Sequence, residues 1–109
     1  MSTFLKVVWN HSYPDEPVWL YSELDGERYE IRKVEVYRDG RRGFADRYRS
    51  VGGSMLGEIP APVIREFANE PEELQASQIS EEEFESQWSA AVSVHERLAD
   101  PERDIAVES

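Results

Sequence analysis

Two Asp-Gly pairs, Asp25-Gly26 and Asp39-Gly40, constrain this chain more than any other feature. Each separates runs rich in β-branched and aromatic residues: 18–24 from 27–38, and 27–38 from 41–48. A type I′ turn needs two positive φ angles, which Asp-Gly adopts at little cost, so each pair predicts a tight hairpin. Two hairpins in succession give an antiparallel three-strand meander. Residues 4–11 have the same composition and are expected to join it as a fourth strand. Between them lies a loop over 12–17, preset by Pro14 and Pro17.

A two-residue loop at Asp25-Gly26 sets a register. Leu20 then faces Ile31 and Ser22 faces Tyr29 on an apolar side. Trp19 faces Arg32, Tyr21 faces Glu30 and Glu23 faces Arg28 on a charge-paired side. The apolar alternation slips at Arg32-Lys33, which predicts either a β-bulge there or a strand covered on both sides.

Residues 50–57 contain three glycines and read as a flexible linker. Residues 60–69 suit a short helix with Pro62 in its first turn and Val63 and Phe67 on one face. The strongest helix runs over 81–98. Ser80 is the candidate N-cap, Glu83 completes a capping box, and Glu81, Glu82 and Glu83 suit the positive end of the helix dipole. Phe84, Trp88, Ala91, Val92, His95 and Leu98 form its apolar stripe, opposite Glu82, Ser86, Ser89, Ser93 and Glu96. The expected architecture is α+β: an antiparallel β-meander of about four strands, covered on one face by this C-terminal amphipathic helix plus the short helix. Phe84 and Trp88 are expected to press on Leu20 and Ile31. Residues 1–99 read as one domain and 100–109 as a flexible acidic tail.

Charge is distributed unevenly. Residues 1–57 carry nine Lys/Arg and nine Asp/Glu, whereas 58–109 carry three Arg and fourteen Asp/Glu, so the whole net charge of −11 falls in the second half. Such a surface repels polyanions and argues against DNA binding, which needs a basic footprint. It suits either plain solvation or the electrostatic steering of a basic protein partner. No apolar run is long enough to span a bilayer, and the N-terminus lacks the build of a signal peptide. Cysteine is absent, which rules out thiol chemistry and cysteine zinc sites. The expectation is a cytoplasmic protein with no membrane association.

Motifs for catalysis are missing: there is no nucleophile elbow, no phosphate-binding P-loop and no dinucleotide fingerprint. Two histidines are present. His95 lies on the apolar helix stripe and reads as a packed, hydrogen-bonded side chain. His11 precedes Asp15-Glu16 and offers a weak acid–base arrangement. Arg38, Arg41, Arg42, Arg47 and Arg49, interleaved with Tyr37, Phe44 and Tyr48, resemble a small RNA-binding surface. The overall charge favours instead their pairing with Glu35, Asp39 and Asp46. No cofactor or metal is expected.

Several segments resemble an uncharacterised family of small bacterial proteins: Pro14-Asp15-Glu16-Pro17, Leu20-Tyr21-Ser22-Glu23-Leu24-Asp25, Arg32-Lys33-Val34-Glu35, Asp39-Gly40, Leu56-Gly57-Glu58-Ile59-Pro60 and Ile79-Ser80-Glu81-Glu82-Glu83-Phe84. The resemblance spans roughly residues 4–92. That family has no known function, so it transfers no catalytic residues. By size and charge alone, the chain also looks like immunity proteins that neutralise toxins. The expected function is therefore a non-catalytic protein-interaction module, of immunity-protein type, for a basic partner. Its expected contacts are Asp15, Glu16, Trp19, Tyr21, Glu82, Glu85 and Glu96. The competing expectation is a small-ligand or RNA-binding domain with a pocket near Trp19, Tyr21 and Arg32.

Overall fold

A computed structural model describes residues 2–58, 60–61 and 74–98. Among the described residues, six strands and one helix follow in chain order: β1 (Thr3–Trp9), β2 (Trp19–Leu24), β3 (Glu30–Val36), β4 (Arg42–Asp46), β5 (Ser50–Val51), β6 (Leu74–Ile79) and α1 (Glu81–Leu98). They form one antiparallel sheet in the order β5-β4-β3-β2-β1-β6, with α1 packed on one face. The α+β class and the β1–β4 meander are as expected. The additional strands are β5 and β6. The short helix expected over 60–69 and the tail from 100 lie outside the described residues.

Both Asp-Gly hairpins turn through three residues, not two. In the first, the Asp25 N–H donates to the Tyr29 carbonyl, and Asp25 Oδ1 accepts from the backbone of Glu27 and Tyr29. In the second, the Tyr37 N–H donates to the Arg41 carbonyl. A three-residue hairpin needs a left-handed residue in its third position. Gly40 supplies it in the second hairpin, with φ 93°, and Arg28 supplies it in the first, with φ 72°. A side chain disfavours that conformation. Arg28 is held there by the backbone of Ala61, whose N–H donates to the Arg28 carbonyl and whose carbonyl accepts from Arg28 Nε.

The longer loop corrects the expected register. Tyr21 now faces Val34, Trp19 faces Val36, and Glu23 faces Arg32. Leu24 pairs with Glu30, so Ile31 is the extra residue of a bulge. This bulge accounts for the parity slip, one residue before the expected position. The helix covers the side of Tyr21, Arg32, Val34 and Val36, which the expected register made the charge-paired one. Phe4, Tyr21, Val34, Val36 and Phe44 meet Phe84 and Ala91 in the core, with Ile79, Val51, Trp88 and Val92 packed around them. Leu20 and Ile31, the expected seats of Phe84 and Trp88, are only half-buried and outside that cluster.

Among the described residues, the second face is covered by irregular chain. Leu5, Leu24 and Ala45 are buried there. Residues 54–58 and 60–61 lie across it as a strap and correct the expectation of a flexible linker. Ser54 Oγ donates to Glu35, Lys33 Nζ donates to the Met55 carbonyl, and the Gly57 N–H donates to Glu30. Glu30 also accepts from Ser22 and pairs with Lys33. Gly52 and Gly53 take positive φ and fold the chain back against Gly43, where a side chain would overlap Ser54 Oγ and the Gly52 carbonyl. These glycines make a fixed turn.

Candidate functional site

The loop from Asn10 to Val18 is the most elaborately tied segment of the described surface. Its ends are pinned to the sheet: the Trp9 N–H donates to the Val18 carbonyl, and the Val18 N–H to that of Val36. His11 knots its middle. A carbonyl can only accept, so His11 Nε2 carries the proton that binds the Pro17 carbonyl at 2.8 Å. Nδ1 is then the acceptor for the Tyr13 N–H at 2.9 Å. Both ring nitrogens are used, and neither Asp15 nor Glu16 reaches them. The expected acid–base arrangement at His11 is therefore not formed. Arg38, from the β3–β4 hairpin, adds a bond to the His11 carbonyl.

This loop and hairpin enclose an open groove of about 280 Å³ at the end of the sheet. Val8, Trp9, His11, Val18, Trp19 and Arg38 line it. The Trp9 and His11 rings lie 4.2 Å apart, and Tyr13 stacks on His11 at 5.4 Å. Tyr13 is 60% exposed and Trp19 37%. Asp15 and Glu16 are exposed on the same loop, and their carboxylates make no hydrogen bond or ion pair among the described residues. Glu16 is near enough to Tyr37 to contribute to the upward shift of its hydroxyl pKa, which burial drives first and Glu35 second.

The other expected contact residues separate. Tyr21 is 6% exposed beneath the helix, and burial followed by the charge of Glu83 pushes its hydroxyl pKa upward. It belongs to the core and offers no surface. Glu85 is partly exposed but engaged: both its oxygens accept from Arg32. Arg32 also binds Glu23 and lies over the rings of Phe84 and Trp88 at 4.8 and 5.1 Å. The Arg32 hydrogen bonds hold the Glu85 carboxyl below the usual range, and Glu85 in turn raises Arg32 against the effect of burial. The expected pocket at Trp19, Tyr21 and Arg32 thus becomes a groove at Trp19 and Arg38. Glu82 and Glu96 are exposed on the outer helix face, but fourteen helical residues separate them, about 21 Å at 1.5 Å per residue. They do not form one patch with each other.

The arginine cluster disperses as well. Arg41 pairs with Asp39, Arg49 with Asp46, and Arg42 donates to Gln87 under the helix. Glu35 is engaged with Ser54 instead. Phe44 is buried. His95 Nε2 donates to the Arg42 carbonyl, with its ring against Phe44, as its place on the stripe predicted. Trp9 and Arg38 were absent from the expected contacts. They lie at the ends of separate strands, and only the β1–β2–β3 pairing brings them together.

No helix among the described residues is long and apolar enough to cross a membrane. No curated protein and no solved structure matches the chain. One family model, described as "Domain of unknown function (DUF6881)", matches residues 3–93.

Proposed function

The chain belongs to this domain family of unknown function, and from the geometry of its loop we propose that it is a non-catalytic protein-interaction module for a basic partner. The observation that carries this reading is the loop itself. It is cross-tied by His11 and Arg38 yet leaves Tyr13, Asp15, Glu16 and the adjoining Trp19 exposed. A recognition surface ordered in advance avoids the entropic cost of ordering on binding, and aromatic anchors dominate interface energetics. The net charge of −11 would speed encounter with a cationic surface. In its finer form, the proposal is an immunity protein that blocks the basic site of a toxin in the cytoplasm.

A second reading, a small anionic ligand or RNA on the aromatic and arginine surface, draws support from Trp19 and Arg38 in one groove.

The primary reading is tested by chemical cross-linking in the source cells, followed by identification of the cross-linked chains. The expected result is a specific protein of high isoelectric point, lost in the Asp15→Asn, Glu16→Gln double variant and at about 1 M salt, where charges are screened beyond roughly 3 Å. Recovery of no specific protein, or of an acidic one that ignores both changes, would sink it.

A further inference from the structure

We infer that the groove between Trp9, Trp19 and Arg38 receives an extended, proline-containing basic segment of a partner protein. This rests on the preceding proposal and names the part of the partner that is read. The groove is at the small end of the roughly 300–1,000 Å³ of ordinary small-molecule pockets, and it is open. That shape suits a segment lying across the surface more than an engulfed ligand.

Its lining combines apolar walls with polar groups at Asn10, His11, Trp19 and Arg38. The walls are apolar: Val8, Val18 and the faces of two indoles. The polar groups at Trp19 and Arg38 are donors only, since an indole N–H and a guanidinium cannot accept. The Trp19 indole N–H makes no hydrogen bond among the described residues. Arg38 spends one of its N–H groups on the His11 carbonyl. A fitting occupant must therefore bring apolar side chains together with acceptors. A polyproline II segment does so, because its backbone makes no internal hydrogen bonds and its carbonyls remain available. Aromatic-lined grooves receive such segments for this reason.

Charge selects the flanks. Asp15 and Glu16 sit on the loop whose two ends line the groove, and neither carboxylate is engaged. Both lie in an acidic molecule, so arginine or lysine beside the prolines is favoured. Arg38 does not reverse this preference. One cation faces two carboxylates, and its remaining N–H groups suit backbone carbonyls as well as anions.

The test is titration of isotopically labelled full-length chain with an amidated peptide of alternating arginine and proline. Parallel arms use a lysine–alanine peptide, a glutamate–proline peptide and oligouridylate. Expected are saturable shifts of the Trp19 indole and Arg38 side-chain N–H signals with the arginine–proline peptide alone. Trp19→Phe keeps the apolar wall and deletes the donor, and should weaken binding about two- to tenfold, as expected for one neutral hydrogen bond. Asp15→Asn with Glu16→Gln should weaken it about threefold, within the range for exposed charges. Each variant's thermal midpoint and amide spectrum are compared with wild type, so that lost binding is separated from lost fold. Binding that shifts the outer helix residues Glu82 and Glu96 and ignores Trp19→Phe would overturn the groove while leaving a basic partner in place. Equal binding of the lysine–alanine peptide would overturn the extended conformation. Preference for the glutamate–proline peptide or oligouridylate would overturn this inference and the basic-partner proposal together. Absence of any shift at millimolar arginine–proline peptide would overturn the groove alone.

Discussion

Arg32 shows how much one side chain can carry. It leaves β3 on the helix-covered face, ties Glu23 of β2 to Glu85 of α1, and covers two aromatic rings. Guanidinium suits this place because it is planar, so it stacks and forks at once; lysine would do neither. The linkage has a definite sign. Arg32 depresses the folded pKa of Glu85, so the stabilisation is complete above the ordinary carboxyl value of 4.5 and is lost as pH falls through the lower folded value. Glu85 is 42% exposed in its side chain, and solvent screening limits the effect to under about 1 kcal/mol. Thermal midpoints measured between pH 3 and 7 should therefore converge for wild type and Glu85→Gln at the acid end. The gap should be full above about pH 4.5 and close as the pH falls through the lower folded value. A constant gap across the whole range would refute the linkage.

At the level of elements, the back of the sheet is the unexpected part. Its composition reads as a glycine linker, and it is a strap. Glu30 binds Ser22, Lys33 and the Gly57 N–H together, and Ala61 clasps Arg28 in its left-handed turn. The strap can lie close because Gly43 has no side chain. Its Cβ would stand 2.9 Å from the Gly52 carbonyl and 3.0 Å from that of Val51, both backbone atoms that cannot swing aside. Gly43→Ala is expected to destabilise the protein by about 2 kcal/mol, in the range of overpacked cores. It should also raise hydrogen exchange at Gly57 and Ala61. Denaturant unfolding gives the first quantity, and native-state exchange the second. A neutral substitution would mean that the strap does not press on β4.

For the whole molecule, electrostatics outweighs any single pair. Most ion pairs in the described residues are partly exposed and individually weak, whereas the net charge of −11 opposes the compact state. The balance predicts that salt stabilises this protein. Raising ionic strength from about 0.01 to 0.15 M shortens the screening length from roughly 30 to 8 Å, and the thermal midpoint should rise by a few degrees. A midpoint that falls would show that the Arg32 and Glu30 networks dominate the long-range repulsion. The same acidity makes association with a basic partner salt-sensitive in the opposite direction, so the two measurements separate folding from binding.

What could be read without a structure was local. The hairpin positions, the Ser80 cap, whose hydroxyl accepts from the Glu83 N–H, and the stripe from Phe84 to His95 all follow from spacing within a few residues. Even the bulge was legible as a break in parity, although its cause was not. What only the tertiary structure decided was longer in range. The three-residue loop, with Arg28 at positive φ, and the bulge at Ile31 together move Trp19 from opposite Arg32 to opposite Val36, four positions along β3. An even shift keeps Tyr21 and Arg32 on one side, and the helix covers that side, which buries Tyr21 in the core and brings Glu85 onto Arg32. β6 was missed because Gln75, Ser77 and Gln78 carry little strand pattern of their own; pairing with β1 supplies it. The groove exists for the same reason. Trp9, Trp19 and Arg38 stand at three separate points of the chain, and they share a surface only because β1, β2 and β3 align their ends.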